Sequence, residues 1–219
     1  MSIRTLAVLA LSIFISSAAH AQIRITEWEY NGAGTSTAGE FVELMNVGNA
    51  PIDMTGWSYD DNSQTAGSFS LSAFGIVQPK EIVILTEATA TDFRAKWSLL
   101  PASVKVIGGS DQNLARADEI NIFNAANSLV DRLTFGDNSG ATTGSIRTNG
   151  VSGNPITLAA LGANDVFQWK LSVAGDSYGS YLSTEGNLGN PGVFSLVPEP
   201  ATLGLLALGI CSLGFGRRR

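Results

Sequence analysis

From Gln22 to Val173 the apolar residues fall in short runs of four to seven, separated by Gly, Asn, Asp, Ser and Thr. Short apolar runs with frequent turn residues predict an all-β sandwich or barrel. "QIRITEWEYN", residues 22–31, alternates. That period puts Ile23, Ile25, Glu27 and Glu29 on one face and Arg24, Thr26, Trp28 and Tyr30 on the other. Phe41–Val47 follows a Gly/Ser/Thr loop and reads as the second strand. Ile52–Asp60 holds Trp57 after a Thr-Gly turn, and Gly67–Phe74 and Lys80–Thr86 read as the next pair, joined through Gln78-Pro79. Pro suits a turn that enters a strand. Val104–Ile107, Glu119–Asn124 and Leu129–Phe135 are further strands, with "NAANS" as a hairpin loop between the last two. Val166–Val173 closes the set and carries Trp169. Residues 136–162 are mostly Gly, Thr, Ser and Asn, which leaves either a long irregular connection or a group of short edge strands.

One stretch breaks this rhythm. "TATDFRAKWSLL", residues 89–100, places Phe93 and Trp97 four apart, hence on one face of a helix. Thr91 is the expected cap, with Asp92 at the positive end. The pattern predicts a short helix over the sandwich edge, ended near Pro101.

The two ends follow other rules. The start, "MSIRTLAVLALSIFISSAAHA", has Arg4, an apolar stretch from Leu6 to Ile15, and Ala19-His20-Ala21. This is the arrangement of a cleaved secretory leader, with cleavage after Ala21 leaving Gln22 as the first mature residue. An uncleaved anchor is the weaker reading, because the apolar stretch is short for a span. At the other end, Ala201–Gly216 carries no charge. As a helix it reaches about 24 Å, and local bilayer thinning absorbs the shortfall. Arg217, Arg218 and Arg219 then stay cytoplasmic. A buried core helix is disfavoured: the run has no polar face and follows Pro198 and Pro200.

Composition narrows the chemistry of the body, residues 22–198. The chain has 13 Lys+Arg and 19 Asp+Glu. Leader and tail remove four of the basic groups and one acid, so the body stands near −9. That charge opposes binding of nucleic acid through its phosphates. The chain's one Cys, Cys211, lies in the apolar tail, and its one His, His20, in the leader. The body therefore lacks a disulfide framework, a Ser-His or Cys-His nucleophile, and a zinc site of the usual ligands. Carboxylate, Lys and Tyr chemistry remain, with oxygen-ligated cations.

Glu27, Glu29, Glu40 and Glu43 form an early acidic set. It reads either as a cation or ligand site at one sandwich end, or as carboxylates bonded to nearby backbone. A paired-acid glycosidase is the remotest reading, since proximity in sequence is not paired geometry. Asp60 and Asp61 in "YDDNSQ", and the "GDNSG" run 136–140, are oxygen-rich loops. Calcium needs six to eight oxygens, so calcium binding competes there with ordinary Asx turns. Trp57 lies in an apolar pattern and is expected in the core. Trp28 and Trp97 are candidates for sugar-stacking platforms.

Two resemblances complete the reading. Pro198-Glu199-Pro200, the apolar span and the terminal arginines, in that order at the C-terminus, resemble the PEP-CTERM sorting signal of Gram-negative bacteria. The resemblance implies an inner-membrane-anchored precursor whose recognition residues are Pro198, Glu199, Pro200, Arg217, Arg218 and Arg219. It implies processing by an exosortase, a membrane cysteine protease, delivery to the cell surface or extracellular matrix, and a link to exopolysaccharide. The body resembles the lamin-tail domain. "IRITEWEYNG" looks like its opening strand, and "EFVELMNVGNAPIDMTGWSYDD" its most recognisable stretch. "VQPKEIVILTE" is similar to its proline-turn strand, although Gly is more usual where Lys80 stands. "ADEINIFNAANSLVDRLTFGD" resembles its last hairpin, "TGSIRT" and "FQWKLS" its later elements, and "STEGNLGNPG" its ending. This implies an immunoglobulin-like β-sandwich over residues 22–192, with the helix as an insertion, between a leader (1–21) and a sorting tail (193–219). The expected function is noncatalytic binding or structural work outside the cell, with no cofactor beyond a conceivable calcium ion. The alternatives are a secreted hydrolase or a calcium-dependent carbohydrate-binding module.

Overall fold

A computed structural model describes residues 22–33 and 39–195. The leader, the residues Pro198–Pro200, the span 201–216 and the arginine tail lie outside the described residues. Among the described residues no helix is long and apolar enough to cross a membrane.

Two sheets face each other. The larger has six strands in the order β12, β11, β1, β2, β7, β8. These are Trp169–Leu171, Gly153–Pro155, Ile23–Glu29, Phe41–Asn46, Ile82–Thr86 and Lys105–Ile107. The smaller runs β10, β9, β4, β5, that is Leu129–Gly136, Ala117–Phe123, Ser58–Asp60 and Phe69–Ser70. Two ribbons, β3 with β6 (Ile52–Asp53, Ile76–Val77) and β13 with β14 (Tyr181–Leu182, Leu188–Gly189), complete the strands. The inner faces bury Ile25, Trp28, Leu44, Val83, Ile120 and Leu133 in one core.

The opening strand departs from its expected alternation. Ile25 pairs with Leu44, yet Glu27 pairs with Glu43, so Thr26 is the extra residue of a β-bulge. A slip of one residue exchanges the two faces. Ile23 and Ile25 point into the core before the bulge, and Trp28 and Tyr30 after it. Glu27 and Glu29 are thereby turned to the outer face instead of sharing one with the isoleucines. Asp131 braces this irregular strand from the other sheet: its Oδ2 accepts the Ile25 N–H at 2.8 Å. Arg24 donates to the Val130 carbonyl at 2.7 Å beside it.

The expected pairing of Gly67–Phe74 with Lys80–Thr86 does not occur. Strand β5 pairs with β4, whereas β7 lies between β2 and β8 in the other sheet. Ile52–Asp60 is likewise two strands, split by the turn at Met54–Trp57. The β9–β10 hairpin forms as expected around residues 124–128. In the irregular 136–162 stretch, β11 joins β1 by pairing Gly153 with Trp28. A Cβ on Gly153 would lie 3.1 Å from the Trp28 ring nitrogen and 2.9 Å from Ile146 Cδ1, so glycine lets the strands approach without displacing these side chains.

Helix α1, Ala90–Lys96, is capped by Thr89 and not by Thr91: the Thr89 side chain accepts the Asp92 N–H at 3.1 Å. The helix packs on the outer face of the six-stranded sheet, not over its edge, because Phe93 and Trp97 meet Phe41 and Ile84 there. Its position has a topological cause. Strands β7 and β8 are parallel, and parallel neighbours need a crossover connection, which α1 supplies.

Candidate functional site

Behind α1, on the same outer face, three carboxylates lie in a row. Glu27 and Glu43 are cross-strand partners, and Glu29 follows two residues on. All three are fully buried. Their cover is the C-terminal segment: the β13–β14 ribbon and the strap Asn190–Gly192. Glu27 Oε1 accepts the Asn190 N–H at 2.8 Å and also the Ser152 hydroxyl. Glu43 Oε2 accepts the Gly192 N–H at 2.7 Å, and its Oε1 accepts the Thr26 hydroxyl at 2.7 Å. Glu27 and Glu43 thus clamp the main chain of the strap, a turn closed by the Val193 N–H on the Asn190 carbonyl at 3.0 Å.

A polar network extends the clamp. Ser152 and Ser172 share a 2.8 Å hydroxyl contact, and the Asn154 amide donates to Ser172 Oγ and Asn190 Oδ1, each at 2.9 Å. Asp176 holds the preceding turn by accepting N–H bonds from Val173, Tyr178 and Ser180. Short polar side chains and glycines suit this layer, since Gly189 sits where a Cβ would come within 2.8 Å of Glu27 Oε1.

The row is electrostatically expensive. Burial, then the neighbouring Glu43 carboxylate, raises Glu27 well above the ordinary carboxyl value. Burial and the Glu27 charge raise Glu29 in the same way. Burial raises Glu43 to about 7, against the lowering effect of its bonds to Thr26 and Gly192. Glu40, one strand-end away, is pushed to about 8 by burial, and its Oε1 accepts the Leu114 N–H at 3.1 Å. No cation relieves them: the ion pairs of the described residues are Lys96–Glu185, Lys105–Glu81, Arg116–Asp137 and Arg132–Glu119. Among the described residues Glu27 Oε2 and both Glu29 oxygens have no hydrogen-bond partner. The nearby Gly150 N–H, whose hydrogen bond runs to the Asn31 carbonyl at 2.7 Å, partly offsets the rise of Glu29. Burial thus favours the protonated form of each of these carboxyls over the charged one.

The remaining candidates are distributed differently from expectation. Trp28 and Trp97 are 0% exposed, so neither offers a face to a sugar. Trp28 lies tilted against Phe135 at 4.0 Å between ring centroids, and Trp97 meets Phe41 and Tyr181 edge-on at 5.9 and 5.4 Å. Trp57 is only partly buried against the core. Glu27 and Glu29 bind the interior, not solvent, because the bulge turns them under the strap. Asp60 Oδ2 accepts the Thr65 N–H at 2.6 Å and the Ser63 hydroxyl at 2.7 Å. Asp61 accepts the Ser63 N–H at 3.1 Å. These are turn-holding contacts of the Asx type. Among the described residues no group of three or more His, Cys, Asp or Glu side chains is placed to hold a metal ion. Gln22 lies half-buried beside Arg24; Ala19, Ala21 and the sorting residues fall outside the described residues.

Asn46 anchors a different turn. Its amide donates to the Ala50 and Val77 carbonyls at 2.8 and 3.0 Å, and its oxygen accepts the Gly48 N–H at 3.0 Å. The acids of the first strands, this asparagine anchor, the four strands of the smaller sheet and four of the six strands of the larger one fall within the matched part of the chain. The family model described as Lamin Tail Domain matches residues 16–137, more than half of the chain. The chain belongs to the lamin tail domain family. A second model, the PEP-CTERM protein-sorting motif, matches residues 196–219. No curated protein matches the chain. In this lamin tail protein the matched part ends within the turn after β10, yet β11 and β12 extend the same six-stranded sheet. The glutamates of the clamp lie inside the match, and the strap they hold lies beyond it.

Sequence reasoning missed Ser152, Asn154, Ser172 and Asn190. Each is an ordinary polar residue in a loop-rich stretch. The usable signal was "GNPG", residues 189–192, whose close-packing glycines mark a segment pressed against another part of the chain.

Proposed function

We propose that this lamin tail protein is an exported, noncatalytic module, anchored in the inner membrane as a precursor and processed by an exosortase. Its destination is the cell surface or extracellular matrix of a Gram-negative bacterium, where it binds or builds with exopolysaccharide. The observation that carries the sorting part is the PEP-CTERM match at 196–219, which begins four residues after the clamped Gly192. A domain secured up to the edge of its sorting signal can be released whole when the tail is removed. The noncatalytic part rests on chemistry. The body lacks His and Cys, and its paired acids are sealed by the strap. A glycosidase needs two carboxyls flanking an open substrate site.

Mass spectrometry of the protein recovered from the producing cells tests the sorting part. Loss of residues 201–219 is expected; an intact C-terminus held in the inner membrane refutes it. Cosedimentation with the cells' own exopolysaccharide, with and without calcium, tests the binding part. Saturable binding is expected, and turnover of any glycoside, ester or phosphate substrate overturns the noncatalytic reading.

A further inference from the structure

Beyond the clamp the described chain runs through Val193, Phe194 and Ser195. Phe194 lines an open hollow of about 540 Å³ on the outer face of the six-stranded sheet. The sheet contributes Met45 and Ile82, which are cross-strand partners. Leu158 and Leu161 add apolar surface from the short turn after β11, and Leu158 is 45% exposed. An exposed leucine beside a hollow is apolar area that no described residue covers.

The charge of this hollow runs against that of the body. The body is strongly acidic, yet no Asp or Glu lines the hollow, whereas Arg24 and Lys80 do. Neither cation belongs to an ion pair of the described residues. Lys80 donates to the Val47 carbonyl at 2.9 Å, and Arg24 to the Ile23 and Val130 carbonyls at 3.1 and 2.7 Å. Arg24 also lowers Asp131, but that carboxylate is committed to the Ile25 and Arg132 N–H groups. The hollow therefore suits an occupant that is apolar at one end and anionic at the other.

The chain supplies such a segment next to Phe194. Residues 196–200 read Leu-Val-Pro-Glu-Pro. We propose that this segment docks in the hollow. Leu196 and Val197 cover Met45, Ile82 and Leu158, and the Glu199 carboxylate meets Arg24 and Lys80. Glu199 stands five positions after Phe194, a reach of up to about 17 Å. The two prolines keep the segment extended and reduce the entropy lost on docking. A tether this short gives an effective concentration on the order of millimolar, so contacts too weak to hold in trans suffice in cis. The docked state withholds the Pro-Glu-Pro residues from a processing enzyme until they undock. This consequence, though not the docking itself, rests on the sorting function proposed above.

Disulfide trapping in the full-length chain tests the docking, with Cys211→Ser removing the native thiol and a host without exosortase keeping the tail intact. Two pairs report on it: Leu158→Cys with Val197→Cys, and Lys80→Cys with Glu199→Cys. Ser68→Cys with Glu199→Cys is the control, because Ser68 lies exposed before β5 in the opposite sheet. Under a mild oxidant, intramolecular disulfides in the two pairs are expected at least tenfold faster than in the control. The leucine pair keeps both cations and Glu199, so it stands even if the lysine pair disturbs its turn. Rates equal to the control overturn the docking and leave the hollow to the bilayer; disulfides between chains alone overturn it in favour of a second copy. Tail removal in the native host without trapping sinks only the docking, and trapping without tail removal sinks only the sorting function.

Discussion

Replacing Glu43 by Gln isolates what the buried clamp costs. Glu43 titrates at about 7 in the fold because of burial, against about 4.3 for a free glutamate. A carboxyl raised in the fold stabilises below its unfolded pKa, and that contribution is lost as pH rises through the folded value. Between pH 5 and pH 8 the loss from Glu43 alone is on the order of 2–3 kcal/mol. Glu27, Glu29 and Glu40 act with the same sign. The wild-type body should therefore become less stable toward pH 8. In Glu43→Gln the side-chain carbonyl still accepts from Gly192, and the amide donates to the Thr26 hydroxyl, so both bonds survive. The variant should lose 2–3 kcal/mol of that pH dependence, at about one pKa unit per 1.4 kcal/mol. It should also relieve part of the burden on Glu27, whose second cause is the Glu43 charge. Urea unfolding at pH 5, 6, 7 and 8, followed by tryptophan fluorescence, measures both slopes. A wild-type stability that is flat or rises across this window refutes the reasoning, as does an unchanged slope in the variant.

Three further substitutions probe the frame. Thr89→Ala should lower stability by about 1 kcal/mol through loss of the helix cap, while Thr91→Ala should change it little; thermal melts separate the two. Asp131→Ala strips the buried Ile25 N–H of its acceptor and should cost about 1–3 kcal/mol, with faster hydrogen exchange at Ile25 as the local readout. Trp97→Ala empties the centre of the layer under α1 and should cost about 3–5 kcal/mol. Trp57→Ala, at a partly exposed position, should cost less in the same unfolding assay.

Much of the frame is legible along the chain because it is set by local periodicity. Runs such as "IVILT" and "VELMN" alternate or stay apolar over a few residues, and glycine and asparagine punctuate them. The hairpin around 124–128 and the helix carrying Phe93 and Trp97 follow from the same local rules. The helix cap lies two residues before the expected Thr91 because two threonines stand in the same short run, and either fits the cap preference. The pairing expected of 67–74 with 80–86 fails because adjacency in sequence does not say which sheet a strand enters. A parallel neighbour such as β8 is invisible until the crossover is built.

The acids show the limit most clearly. Composition alone determines that the body lacks histidine and cysteine, and that it carries a net negative charge beneath a greasy, arginine-ended tail. Those facts direct the reading away from common nucleophiles and toward export. Whether Glu27 meets solvent or the interior depends on one extra residue in β1 and on a strap 163 positions away. A bulge reverses the face of every residue after it, and a contact over that separation leaves no trace in local pattern. Only the tertiary fold could decide that the early acids are a buried clamp on the chain's own C-terminal strap.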